Sequence, residues 1–420
     1  LVLGRLASPR WRATPTEVRT GDHESVLIVG PTQSGKTSCL VVPAILDWRG
    51  PVLAASVKDD LVAATAAWRR SQGLVGVFDP HFAPTGLAVA FDPVRLSTTW
   101  PQARRLAAVL SSAAAEEAGS VDAQFWSQLA SKLLAPLLLA AALGEGSLST
   151  VAHWVDSRQG DEPRSILFEA GQLQAEDALA ASLARDERQV SSVYATIEAL
   201  LEPMITGDPG ARCFEPEAFL AGDQTLYLCA PAHDQHRFRP LFAALTSELL
   251  QQAFSLARRQ GGSLERELLV VLDEAASIAP LKELDVVAAT CASHGITLVT
   301  CFQDLAQIRA RYGERWATVV NNHRSRVFLS GLADPSAGEL LSSLTGQEMA
   351  RRPSHRSRAT MATDPPRRLL EPYELRELPA YRGLVVSGRL PPIRLVLRPW
   401  WKRRGLQARG PRPLDRGARS

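Results

Sequence analysis

Gly30-Pro31-Thr32-Gln33-Ser34-Gly35-Lys36-Thr37 has the spacing G-x-x-x-x-G-K-[ST], the pattern of a loop that wraps a polyphosphate. Glycines let backbone N–H groups converge on one point, and a helix N-terminus adds partial positive charge there. Lys36 would contact the β- and γ-phosphates, Thr37 would give its hydroxyl to Mg²⁺, and Ser38 would follow in the first helical turn. The context fits the pattern. Ser25-Val26-Leu27-Ile28-Val29 reads as a buried strand before the loop, and Thr37-Ser38-Cys39-Leu40-Val41-Val42 starts a helix after it. The chemistry implied is binding of a nucleoside triphosphate.

A phosphate loop needs a partner that holds the metal and activates water. Leu268-Leu269-Val270-Val271-Leu272 is an apolar strand that runs into Asp273-Glu274. Asp273 would join the Mg²⁺ shell, and Glu274 would orient and deprotonate the attacking water. Open parallel sheets bind ligands at the carboxyl ends of their strands, so such a pair belongs at the same kind of edge as the loop. Gln303 follows another apolar run, Ile296–Cys301, and its amide suits a γ-phosphate sensor because it both donates and accepts. Lys58 and Asp60, in Ser56-Val57-Lys58-Asp59-Asp60, read equally as neighbours of the site or as a solvated charge run. The histidines form no cluster and receive no role.

Seven short apolar runs read as parallel strands: Ser25–Val29, Val52–Val57, Val75–Phe78, Thr225–Cys229, Leu268–Leu272, Ile296–Cys301 and Arg326–Leu329. Helical patterns separate them. Phe242, Leu245, Leu249 and Ala253 recur at helical spacing, in a helix that should end at Arg258-Arg259 before Gly261-Gly262. Between Trp100 and Pro203 the alternation stops. The stretches Ala103–Ala115, Phe125–Leu143 and Glu176–Leu201 read as helices, with Asp122 placed to cap the second. The expected fold is α/β with an inserted all-α domain. Its divisions are a first part of the α/β core over 1–99, the insert over 100–203, a second part of the core over 204–345, and a basic C-terminal segment over 346–420. That last segment is poor in strand and helix signals and is expected to be partly disordered.

With 45% apolar and 22% charged residues the composition is that of a globular chain. The five cysteines include no C-x-x-C pair, so neither a zinc site nor a disulfide framework is indicated. The longest apolar run, Leu133–Leu143, contains Pro136 and falls short of the roughly twenty residues a membrane span needs. It reads as a buried helix, so the chain itself is expected to carry no transmembrane segment. The chain begins Leu1-Val2-Leu3 without methionine, which leaves room for an upstream anchor. The net charge is +3, but 351–368 carries six Arg and one Asp, and 398–420 carries seven Arg, one Lys and one Asp. Such clusters read as a phosphate footprint or, for the last twenty residues, as a solubilising disordered tail.

Taken in order, these motifs resemble the type IV secretion coupling proteins, the TraG/TraD-like ATPases of bacterial conjugation. The resemblance rests on Gly30–Thr37 followed by Leu40-Val41-Val42-Pro43, on Ser56–Leu61, and on Val77-Phe78-Asp79-Pro80. It continues through Phe125-Trp126, Leu272-Asp273-Glu274, Gly295-Ile296, Gln303–Gln307, Tyr312-Gly313, Asn321-Asn322 and Leu369–Leu375. It implies a P-loop NTPase of RecA/FtsK-like type, a homo-hexamer at the cytoplasmic face of the bacterial inner membrane. Such a protein recruits a relaxase–DNA complex and uses ATP and Mg²⁺ to move single- or double-stranded DNA, or a secreted protein, into the secretion channel. By position it implies Lys36 and Thr37 for phosphate and Mg²⁺, Asp273 and Glu274 for metal and water, and Gln303 as sensor.

Two departures stand out. The family usually has an N-terminal membrane anchor before the motor, and none is read within the sequence from Leu1. The family also often places an arginine that acts on a neighbour's γ-phosphate in the turn that here reads Cys291-Ala292-Ser293-His294-Gly295, without one. Arg324 or Arg326 would have to substitute, or hydrolysis in trans would be weak. The competing expectation is an ATP-gated receptor or docking platform with little motor activity. A small-molecule phosphotransferase fits poorly, because about 240 residues separate Lys36 from Asp273 and no acceptor site is evident.

Overall fold

The computed structural model describes residues 1–7, 16–79, 86–118, 121–205, 211–230, 235–278, 281–348 and 367–410. It divides into two compact units, Leu1–Trp48 with Glu283–Ser420, and Arg49–Lys282.

The first unit is built on a mixed sheet. Val26–Val29 lies between Ile296–Phe302 and Ser325–Leu329, parallel to both. All of Val26–Val29 and Ile296–Phe302 is buried, as expected for strands covered on both faces. Beyond Ser325–Leu329 the sheet turns antiparallel, through Arg382–Ser387, Ile393–Val396, Val2–Leu6 and Glu17–Arg19. The first two of these strands correct the expectation that the segment after Gly346 is poor in strand structure. Arg382–Ser387 and Ile393–Val396 form a hairpin whose turn includes Gly388 at φ 53°, and its apolar residues are hidden in sequence among Arg and Pro. The last twenty residues also differ from a disordered tail as far as Gly410: Trp400–Lys402 and Arg404–Gln407 are short helical turns. Residues 349–366 and 411–420, where the expected disorder and most of the basic runs fall, lie outside the described residues.

The second unit holds a four-stranded parallel sheet in the order Leu268–Leu272, Val52–Ser56, Thr225–Cys229, Val75–Phe78. Arg69 is fully buried, and its guanidinium donates to Thr225 Oγ1 and to the Gly50 carbonyl, each at 2.7 Å. Those bonds tie the helix Asp60–Arg70 to the amino ends of two strands. The helix Gln235–Arg259 buries Phe242, Leu245, Leu249 and Ala253 and ends where the glycines require, with Gly262 N–H donating to Ala257 O at 2.8 Å.

Between Trp100 and Leu201 the described residues contain helices and no strand. The expected helix Glu176–Leu201 is two, Leu173–Leu183 and Glu187–Leu201. The second starts at Asp186, whose carboxylate accepts from Gln189 N–H at 3.0 Å and so makes a fresh N-cap. Asp122 does not cap its helix but lies inside the first turn of Val121–Leu143. That helix is one piece of 23 residues, with Pro136 accommodated inside it. It corrects the expectation of a short apolar run: Asp122–Leu143 is long and apolar enough by length and composition to cross a membrane. Its buried stretch from Leu133 to Ala141 packs among Trp100–Ala118, Leu173–Leu183 and Glu187–Leu201, which accounts for its apolarity.

His323 is fully buried and ties the end of the helix Trp316–Asn322 to the strand Ile296–Phe302. Its Nδ1 faces the Val319 carbonyl at 2.7 Å, which can only accept, so Nδ1 carries the proton. Nε2 then accepts from Thr300 Oγ1 at 3.0 Å. Burial lowers its pKa to about 4. The unfolded chain therefore binds a proton near pH 6.5 that the folded one refuses, and stability falls as pH drops from that value toward 4. Between pH 7 and pH 4, urea unfolding of the wild type should lose about 3 kcal/mol more than His323→Gln.

Candidate nucleotide site

In the first unit Phe302, Val29 and Phe328 stand side by side across three parallel strands. Their carboxyl ends are level, and the loop after Val29 springs from the middle of that edge. Gly30 N–H donates to Phe302 O at 3.1 Å, extending the ladder by one bond. A Cβ on Gly30 would lie 2.8 Å from both Leu329 Cβ and Ser34 Oγ, so a side chain is excluded there. The loop then turns through Gln33 at φ 62° and Gly35 at φ 95°. Such angles are cheap for glycine and costly for glutamine.

Two polar side chains are enclosed by this loop. Lys36 is buried, and its ammonium donates to the Gly30 and Pro31 carbonyls at 2.5 and 2.9 Å. The Ser34 hydroxyl is also buried, with no hydrogen-bond partner. A buried hydroxyl left without a partner costs about 1–3 kcal/mol, and a phosphate oxygen would relieve that cost. Together with the glycine-lined backbone, this donor set fits a polyphosphate.

The helix behind the loop has an unusual start. Thr37–Val41 winds as a π-helix, with Val42 N–H bonded to Thr37 O, before Val42–Asp47 continues as an α-helix. Pro43 explains part of this, since it has no N–H to offer the carbonyl four residues back, that of Cys39. Arg403 fills the gap by donating from Nη2 to Cys39 O at 2.8 Å. Arg409 caps the far end through Leu46 O at 3.1 Å and Asp47 Oδ1 at 2.6 Å. Two arginines of the basic C-terminal run thus serve the loop's own helix. Sequence reading missed Arg403, although Pro43 inside the helix was a signal that one carbonyl would need an outside donor.

Gln303 directly follows Phe302 and so stands level with Gly30 one strand away. Its backbone N–H donates to Gln307 Oε1 at 3.0 Å, and Asp304 caps the next helix by accepting from Gln307 N–H at 2.7 Å. These bonds fix the turn and leave the Gln303 amide half-exposed at the loop's edge. Arg324 and Arg326 lie at the other edge. Ser325 pairs with Val26, at the amino end of the loop strand. Arg324 is largely exposed and ion-paired with Glu24 at 2.9 Å. Arg326 is half-buried, donates to Asn321 Oδ1 at 3.2 Å, and its charge is disfavoured by burial. The strand's length separates either one from its own chain's loop.

In the second unit Asp273 follows Leu272 at the carboxyl end of its strand, is buried, and donates its N–H to Ala55 O at 2.9 Å. Glu274 comes next with φ 72°, a left-handed conformation that a glutamate rarely adopts. The turn is closed by Ser277 and Ile278 N–H groups donating to Glu274 O at 2.9 and 3.2 Å. Arg239 Nε braces it through Ser277 O at 2.9 Å. Asp60 opens a helix at the same edge, where partial desolvation and then the nearby Asp273 carboxylate push its pKa up. Mg²⁺ is usually held by one or two carboxylates together with phosphate oxygens, and Asp273 is a carboxylate of the kind it takes.

A left-handed backbone at a non-glycine residue costs about 1–2 kcal/mol. Glu274→Gly should therefore be more stable to urea than Glu274→Gln by about 1 kcal/mol. Both variants lack the carboxylate, so the difference isolates the strain.

Residues 4–417 match the family model described as "Type IV secretory system Conjugative DNA transfer". A conjugal transfer protein TraG of Escherichia coli is 26% identical over 363 residues, covering 79% of this chain and 56% of that protein. Protein VirD4 of Agrobacterium fabrum is 22% identical over 419 residues, covering 94% of this chain and 61% of the relative. The chain thus spans a little over half the length of the curated relatives it matches. Among solved structures, the plasmid coupling protein TrwB in complex with the ATP analogue ADPNP has a TM-score of 0.71 at 19% identity, covering 90% of this chain and 86% of that one. TrwB in complex with ADP and Mg²⁺ has a TM-score of 0.70 at 20% identity, covering 89% and 84%. At these identities the structural likeness establishes the fold.

Proposed function

The chain belongs to the type IV secretory system conjugative DNA transfer family, and from that premise we propose that it is an ATP-hydrolysing coupling protein. It recruits a relaxase–DNA or protein substrate and drives it into a secretion channel, acting as a homo-hexamer at the cytoplasmic face of the bacterial inner membrane. Its functional division is a motor formed by 1–99 and 204–345, with the helices of 100–203 as the cargo-handling insert. The observation that carries the reading is the phosphate loop: a buried, unpartnered Ser34 hydroxyl and a buried Lys36 ammonium inside a glycine-framed turn. The nucleotides named for the TrwB structures, ADPNP and ADP with Mg²⁺, support ATP as the ligand.

In this mechanism the N–H groups of Gly30–Thr37 and the Ser34 hydroxyl hold the phosphates. Lys36 exchanges its bonds to Gly30 and Pro31 carbonyls for the β- and γ-phosphate oxygens, while Ser38 lies beside the phosphates at the helix start. Thr37 and Asp273 would hold Mg²⁺, which when bound would supply positive charge against the phosphate oxygens. Glu274 takes the proton of the attacking water and aims it along the line of displacement. Its left-handed backbone is the kind of local strain that persists where it fixes a reacting group. Gln303 senses the γ-phosphate from the strand beside the loop. Arg324 is the better placed of the two arginines to act on a neighbour's nucleotide, since it is exposed at the edge opposite its own loop.

ATP turnover should be stimulated by single- or double-stranded DNA and should rise steeply with protein concentration as rings form. Lys36→Ala and Glu274→Gln should each lower it at least about 100-fold. Arg324→Ala should be as severe, an arginine finger contributing about 10³–10⁵. Mixing Arg324→Ala with Lys36→Ala subunits should restore part of the activity, because the two defects then fall on different subunits. Tight ATP binding with turnover that neither DNA nor concentration changes would favour a docking platform instead.

A further inference from the structure

Tyr381 immediately precedes the strand Arg382–Ser387 and has φ 59°. The antiparallel register brings it to the loop's edge. Leu329 pairs with Gly383, and Ser330 N–H donates to Arg382 O at 3.0 Å, so Tyr381 lies beyond the carboxyl end of the strand next to Val26–Val29. Its own carbonyl accepts from Leu397 N–H at 2.9 Å, which pins the backbone. A Cβ built on Gly35 would lie 3.3 and 3.5 Å from Cδ1 and Cε1 of Tyr381. The ring therefore stands against the second glycine of the phosphate loop, one residue before Lys36. Yet the residue is 42% exposed.

These facts suit a binding surface better than a packing residue. A ring that served only to brace the loop would be buried, and a turn that needed only a positive φ would be met more cheaply by glycine or asparagine. Tyr381 is neither. It spends backbone strain to hold an aromatic face open beside the place where a triphosphate's phosphates would lie. The part of a nucleotide with matching chemistry is the flat base, which stacks on an aromatic ring whatever its hydrogen-bonding pattern.

We propose that Tyr381 is the stacking platform for the nucleoside base of the triphosphate held by Gly30–Thr37. This rests on the nucleotide reading above and adds the residue that grips the nucleoside rather than the phosphates. The site then has two separable parts, a loop that binds any polyphosphate and a ring that binds only nucleotides.

Calorimetric titration of the full chain with ATP, GTP and inorganic tripolyphosphate, each with Mg²⁺, separates them. Tyr381→Ala should weaken ATP and GTP about tenfold and leave tripolyphosphate unchanged, while Tyr381→Phe should bind all three like the wild type. Both variants keep the same backbone strain, and matching urea midpoints would exclude a folding defect. Unchanged ATP affinity in Tyr381→Ala overturns the proposal, and so does an equal loss for ATP and tripolyphosphate, which would make the ring a brace for the loop. A wild type that binds neither ligand sinks the nucleotide reading and this inference with it. A wild type that binds ATP upholds that reading whichever way Tyr381 falls.

Discussion

Everything at the phosphate loop depends on one constraint: Val26–Val29 is paired in register and in parallel on both sides. With Phe302, Val29 and Phe328 level, the chain leaves three neighbouring strands at one edge. Gly30, Gln303 and Leu329 then become neighbours although some 270 to 300 residues separate Gly30 from the other two in sequence. A slip of one residue would turn every side chain of the strand to the opposite face. Because both faces are covered, that slip would not be punished by exposing polar groups in the strand. It would be punished at the loop, where Gly30 would lose its bond to Phe302 and its fit beneath Leu329.

Around this edge the structure tolerates features that cost stability. Gln33 and Tyr381 have left-handed backbones, the Ser34 hydroxyl is buried without a partner, and the loop helix opens in π form. Each is of a kind that persists where surrounding structure overdetermines it. The surrounding structure here includes the C-terminal run: Arg403 supplies the donor that Pro43 cannot, and Arg409 holds the helix's other end. Part of the positive charge that looks like a nucleic-acid footprint in sequence is therefore spent inside the molecule.

Legibility in sequence followed the range of the interactions. The seven parallel strands were readable because strands buried on both faces must be continuously apolar, and their observed bounds fall within a residue or so of the expected ones. The helical block was readable from its alanine and leucine content. The antiparallel strands near both ends were not. Arg382–Ser387 and Ile393–Val396 are short, lie among arginines and prolines, and are stabilised by distant partners, Ser325–Leu329 for the first and Val2–Leu6 for the second, rather than by their own pattern. Asp122 misled for a related reason, because a single acidic residue fits a cap and a first turn equally well.

The sequence by itself determined the local grammar of this protein: strand, glycine turn and lysine in one place, and an apolar run ending in Asp273-Glu274 in another. Those patterns are set by backbone conformation and burial over a few residues, and a few residues suffice to read them. Tertiary structure decided that Gln303 stands beside the loop, that Arg324 and Arg326 lie at the opposite edge, and that Arg403 and Tyr381 reach it from the far end of the chain. Those placements follow from strand register between distant segments. Register is a property of the packed sheet, and no local stretch of the chain encodes it.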